Sequence, residues 1–230
     1  MWLIAYYVPF TWKRWGEATM YRHFFKRLFD LIFALMAFPF WLVILIVVGP
    51  IIYLQDKGPI FYNAPRLGKD GKTFIMYKFR SMKVNAPDLR NEDGSTYSAE
   101  DDPRLTKVGK FLRRTSLDET PQLLNVIKGD MSIVGPRPTI CTSDFEKISG
   151  VRRKRYEVKP GITGYTQAYY RNSISQDEKF EHDAEYVEKR SLLLDIKIIM
   201  ATIRTVVSKK NVYSNSTETH VKTGGKMMLK

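Results

Sequence analysis

Between Leu31 and Leu54 the chain runs for 24 residues without a charged side chain. A helix of that length crosses a bilayer core of roughly 30 Å. A secretory signal is a poor match, because the run starts late, exceeds a usual signal core and has no small-residue cleavage site after it. A buried helix of a soluble protein would carry a polar face, which this run lacks. Pro39 removes one backbone hydrogen bond and crowds the preceding turn, and Gly49-Pro50 adds a second weak point. Lys13, Arg14, Arg22, Lys26 and Arg27 precede the run, and Lys57, Arg66, Lys69 and Lys72 follow it. Basic residues gather on the cytoplasmic side of a membrane helix, and here both flanks have that character. The economical expectation is a helix that enters the membrane, breaks at Pro39 and returns to the same face. Asp30 then belongs in the headgroup region, since a carboxylate at the bilayer centre is costly.

The remainder reads as one domain. At 230 residues the chain suits a single sizeable core. Its formal net charge of +13 draws polyanions, but does not choose among nucleic acid, anionic lipid and nucleotide phosphate. The single cysteine, Cys141, excludes an internal disulfide and a cysteine metal cluster. Residues 1–21, rich in Trp, Tyr and Phe, suit the membrane interface. Residues 22–56 hold the re-entrant helix, 57–210 the globular domain and 211–230 a flexible tail. Around Lys69-Asp70-Gly71 two short strands are expected, and residues 85–103 read as an acidic loop. Helical patterns cover 104–114, 121–128, 140–156 and 176–210. Within the last, the apolar stretch Leu192 to Val207 suits either a membrane surface or the domain core. The fold class is α+β, mainly helical and membrane-inserted.

The chemically informative stretch runs from Arg113 to Leu124. Thr120 can cap a helix whose first residue is Pro121, where the missing amide costs nothing, and Gly129 is a natural end. Asp118 and Glu119 then sit at a helix N-terminus with Arg113 and Arg114 one turn upstream, a suitable setting for phosphate. The bland reading is a Ser116–Glu119 capping box, which Pro121 weakens by falling inside any helix that begins at Leu117. Gly135-Pro136-Arg137-Pro138 is a stiff turn presenting one arginine, whose fork of donors suits phosphate oxygens. Arg152-Arg153-Lys154-Arg155 reads as a solvated or headgroup-facing surface.

Together these segments resemble the bacterial sugar transferase family, the monotopic phosphoglycosyl transferases. The matching pieces run in order through residues 22 to 210: Lys26-Arg27-Leu28-Phe29-Asp30, Tyr77 to Met82, Ser116-Leu117-Asp118-Glu119, Leu123 to Asn125, Gly129 to Ser132, Gly135 to Pro138, Lys159 to Gly164, and Arg171-Asn172-Ser173. The resemblance implies transfer of a sugar phosphate from a UDP-sugar to polyprenyl phosphate on the cytoplasmic face of the inner membrane, without a nucleic-acid partner. It implies Asp118 as nucleophile and site of Mg²⁺, Glu119 as its helper, and Arg113 and Arg137 as phosphate contacts. Lys78 and Arg80 are secondary contacts, and Arg171 and Asn172 are candidates for donor recognition. One departure is Phe38, where the family often places a serine able to satisfy a freed carbonyl; a fully spanning helix stays open as an alternative. A non-catalytic basic scaffold on the membrane is the competing reading, and it leaves the ordered motifs unexplained. The sugar and the oligomeric state are not legible.

Overall fold

The computed structural model describes residues 20–90, 97, 99, 102–141, 145–171, 173–208 and 222–223. A π-helical turn, Tyr21–Phe25, leads into the long helix α1 (Lys26–Asp56). An antiparallel hairpin follows, β1 (Ala64–Leu67) and β2 (Thr73–Met76), with the expected Lys69–Gly71 turn between them. Then come β3 (Leu89–Arg90), α2 (Lys107–Thr115), α3 (Gln122–Lys128), β4 (Ser132–Val134) and β5 (Thr139–Ile140). The chain continues through α4 (Val151–Lys154), β6 (Gly161–Thr163), α5 (Tyr165–Tyr169), α6 (Gln176–Lys189) and α7 (Leu192–Ser208). A last strand, β7 (Lys222–Thr223), pairs with β3. The mainly helical α+β class is thus observed. The interfacial segment 1–19 and the rest of the tail lie outside the described residues.

Helix α1 runs unbroken through Pro39 and Pro50, which corrects the expected break. Each proline removes one amide donor, while the flanking apolar residues keep their own helical bonds, the only partners a lipid environment offers. Only 11% of its most apolar window is buried, so it is not the core helix of a soluble domain but a possible membrane-inserted segment. Its buried positions, Asp30, Ala34, Trp41, Gly49 and Ile52, recur at helical spacing along one face. Ala34 packs with Met76, Val126 and Met131, while Ile52 packs with Phe79 and Leu112. The two halves of α1 are therefore fastened to the same globular body. At the far end, Arg80 grips Asp56 with both terminal nitrogens, at 2.6 and 2.5 Å, and also donates to the Pro59 and Ile52 carbonyls. At the near end, Lys26 pairs with Asp195 of α7 at 2.8 Å. Asp30 is buried, accepting from the Ser132 hydroxyl and the Ile133 amide. Protein donors, rather than lipid headgroups, satisfy that carboxylate.

Strands β4 and β6 form a short parallel pair, Ser132 opposite Gly161 and Val134 opposite Thr163. Beyond it the backbones nearly touch: a Cβ on Gly161 would lie 2.1 Å from the Gly135 amide nitrogen, and one on Gly164 would lie 2.2 Å from the Gly135 carbonyl oxygen. This contact fixes where the Gly-Pro-Arg-Pro turn leaves β4. The expected helix over 140–156 is instead strand β5, two 3₁₀ turns and the short α4, because Thr139–Ile140 pair with β1 and Gly150 turns the chain at φ 59°. The expected helix over 176–210 is two. Ser175 and Glu178 form a capping box that starts α6, and Arg190 turns extended (ψ 128°) before α7. Ile198 of α7 packs into a core with Val134, Tyr186 and Val187, while Leu193, Met200 and Val207 stay exposed.

Candidate active site

Asp118 and Glu119 lie in a 3₁₀ turn, Leu117–Glu119, between α2 and α3. Helix α2 ends when Ser116 adopts the left-handed conformation (φ 58°). Thr120 is itself helical and its hydroxyl donates to the Leu117 carbonyl, so it does not cap; α3 begins uncapped after Pro121. The dyad thus occupies a separate turn upstream of α3, not the helix N-terminus expected from the spacing. Gly129 does end α3, at φ 99°.

The turn is held from the β2 side. The Phe79 amide donates to the Asp118 carbonyl at 2.9 Å. Asn125, fully buried, accepts from the Tyr77 amide and donates to the Ile75 carbonyl, which aligns the segment carrying Lys78. Lys78 Nζ reaches Asp118 Oδ2 at 2.8 Å and Glu119 Oε1 at 3.5 Å. Asp118 is buried. From the opposite side Arg137 Nη2 meets Glu119 Oε1 at 2.8 Å. Burial alone would push the Glu119 carboxyl up, but Arg137 and then Lys78 outweigh it and hold it down at about 2. The same contact raises the Arg137 guanidinium above its ordinary value. Arg171, left-handed at φ 52°, donates to the Ser116 hydroxyl at 3.5 Å, and burial lowers its ionisation.

The structure therefore brings Asp118, Glu119, Lys78, Arg137 and Arg171 together. It does not bring Arg80, which is engaged with the end of α1, and Arg113 donates to the Ser81 hydroxyl at 3.1 Å. Asn172 lies outside the described residues. Arg155, expected on a solvated or headgroup-facing surface, is instead buried, ion-paired with Asp183 at 2.9 Å and donating to the Arg137 carbonyl at 2.7 Å. Nothing in the four-residue basic run sets it apart; only the turn after α4 rotates it inward. Asn125 belongs to a motif whose role the sequence does not reveal, since a buried amide reads like any polar residue of a helix. Among the described residues no three carboxylate, imidazole or thiolate groups converge. Two adjacent carboxylates do fit Mg²⁺, an ion commonly held by one or two carboxylates together with substrate phosphates.

Fold and site define a domain with one helix long and apolar enough to cross a membrane, presenting a carboxylate dyad ringed by cations, an arrangement suited to phosphate transfer. The chain belongs to the bacterial sugar transferase family, whose model matches residues 21–209. It is 42% identical over 188 residues to the uncharacterized sugar transferase EpsL of Bacillus subtilis, covering 81% of this chain and 89% of that protein. It is 39% identical over 207 residues to the undecaprenyl-phosphate galactose phosphotransferase of Salmonella typhimurium, covering 83% and 42%. With the UDP-glucose:undecaprenyl-phosphate glucose-1-phosphate transferase of Escherichia coli it shares 40% over 185 residues, covering 77% and 39%. The chain spans less than half the length of these last two relatives, and nearly all of EpsL.

Proposed function

We propose that the chain is a phosphoglycosyl transferase that moves a sugar 1-phosphate from a UDP-sugar to a polyprenyl phosphate. The observation that carries this is the buried Asp118 carboxylate, 2.8 Å from Lys78 and beside a Glu119–Arg137 pair, in a chain of this family. In the first step an Asp118 oxygen attacks the β-phosphorus of the donor. The bond from that phosphorus to the bridging oxygen breaks, and UMP leaves with the electron pair. The product is an acyl phosphate, which retains transfer potential. In the second step the polyprenyl phosphate oxygen attacks the same phosphorus, the Asp118–phosphorus bond breaks, and the carboxylate is regenerated. Lys78, Arg137 and Arg171 neutralise charge around the phosphates. Asp118 and Glu119 would hold Mg²⁺ together with diphosphate oxygens. Bound there, the ion would screen the diphosphate and stabilise the leaving UMP. A basic scaffold would need no buried dyad, and the family relationship gives it no support.

The proposed membrane form is re-entrant, the single helix α1 bending at Pro39 without being divided in two, with the catalytic domain on the cytoplasmic face of the inner membrane. Support comes from α1 itself, whose Lys26 and Asp56 ends are both fixed to one globular body. A crossing helix would put those ends on opposite sides. Single cysteines placed near Leu54 and near Lys26 test this; labelling of the Leu54 end from the periplasmic side overturns it.

UMP release by the protein in lipid nanodiscs, across a panel of UDP-sugars with and without polyprenyl phosphate and Mg²⁺, tests the reaction. Release should depend on one donor and vanish in Asp118→Asn. Normal release by that variant sinks the nucleophile assignment.

A further inference from the structure

A second cationic site lies away from the dyad, where α3 ends at Gly129. Left-handed Gly129 leaves a notch: from the position a Cβ would occupy, Arg27 Nη2 is 3.5 Å away and Lys159 Nζ is 3.7 Å away. Arg27 is anchored there by the α3 carbonyls of Val126 and Ile127, at 2.6 and 3.0 Å, so it covers the negative end of that helix. Lys159 makes no hydrogen bond or ion pair with any described residue, and it is half-buried. Burial first, and then Arg27 and Lys69, lower its ionisation, while Asp30 and Asp130 work against them. Both carboxylates already have partners. Asp30 accepts from Ser132 and Ile133 and sits 3.6 Å from Lys26; Asp130 faces Lys128 at 3.5 Å and Asn125 at 3.4 Å. The Lys69 side chain likewise makes no hydrogen bond or ion pair with a described residue. A half-buried lysine beside an arginine, with the local carboxylates engaged elsewhere, is one anion short of balance.

Position narrows the anion. Arg27 is the second residue of α1, about one helical turn before the uncharged run begins at Leu31. The notch therefore sits at the level of lipid headgroups if that run is in the membrane. We propose that Arg27 and Lys159 bind the phosphate ester headgroup of a membrane lipid over Gly129. The site is separate from the dyad and serves to hold a lipid phosphate at the membrane surface. The inference rests on the polyprenyl phosphate reading for one of its two sources, the acceptor's phosphomonoester; the other is an anionic phospholipid's phosphodiester.

The test is direct binding, without donor, so that it does not depend on turnover. Full-length protein in phosphatidylcholine nanodiscs is titrated with polyprenyl phosphate and, separately, with phosphatidylglycerol. Lys159→Gln should weaken binding about tenfold or more, the usual effect of losing a hydrogen bond to a charged group, while Lys159→Arg should retain most of it. Loss for polyprenyl phosphate alone identifies the acceptor, and equal loss for both lipids identifies a general headgroup site. Unchanged binding of both lipids by Lys159→Gln overturns the proposal. So does loss in both Lys159 variants together with a lowered thermal midpoint, which would make the lysine structural. Absence of UMP release from every donor would refute the reaction while leaving the phospholipid arm standing.

Discussion

Replacing Arg137 with glutamine removes the strongest attraction acting on the Glu119 carboxyl while leaving burial in place. At 2.8 Å, two unit charges attract by roughly 6 kcal/mol at an effective dielectric of 20, and by roughly 1.5 kcal/mol in bulk water. The Arg137 side chain is 54% exposed, so the lower part of that range applies, about 1.5–2 kcal/mol. That is more than one pKa unit at about 1.4 kcal/mol per unit. Glu119 should therefore climb from about 2 toward its ordinary 4.5, held only by Lys78. In the native chain the folded value is depressed. Its stabilising effect is fully present above 4.5 and is lost as pH falls through about 2. Urea midpoints of native chain and Arg137→Gln should therefore differ most above 4.5, and the gap should close as pH drops toward 2. UMP release should show the same change as an acid limb displaced upward by about one pH unit. Superimposable acid limbs, with midpoints separated by a constant amount at all pH values, would refute the electrostatic account of this pair.

Arg155→Met leaves Asp183 buried without its cation and frees the Arg137 carbonyl. Stability to urea should fall by about 3–5 kcal/mol, and an unmoved midpoint would show the pair to be dispensable. Arg80→Gln should lower the thermal midpoint but leave the KM for the donor in place, because its guanidinium binds Asp56 and backbone carbonyls; a selective rise in KM would return Arg80 to the substrate. Gly161→Ala drives a methyl to 2.1 Å from the Gly135 nitrogen, so the β4–β6 contact must open. A loss of about 1–3 kcal/mol is expected in urea, and native stability would mean that the two backbones can part without cost.

What the sequence disclosed divides along physical lines. The uncharged run, the Lys69–Gly71 turn and the Gly129 stop follow from local chemistry, a few residues whose backbone or solvation preferences admit one outcome. The family pattern likewise needs only residue order. The expected helix over 140–156 failed because a strand pairing with β1, 70 or so residues away, competes with local helical preference, and no window of sequence contains that partner. The expected cap at Thr120 failed for a nearer reason: its hydroxyl had an equally local use, the Leu117 carbonyl.

The arginines show the same division most plainly. Arg80, Arg113, Arg137 and Arg155 are chemically equivalent, and each lies in or beside a motif or basic run. Only tertiary structure separates them: one locks the end of the long helix, one reaches Ser81, one meets the dyad, and one is buried behind that third arginine. Arg155 and Arg80 stand in for what apolar packing alone cannot give, a fixed direction. A guanidinium with several donors on carbonyls and a carboxylate has one satisfactory orientation, whereas an apolar side chain has several. The excess of basic residues is thus only partly about attracting phosphate. Part of it is spent internally, aligning the few cations that face the dyad and tying the long apolar helix to the domain that carries it.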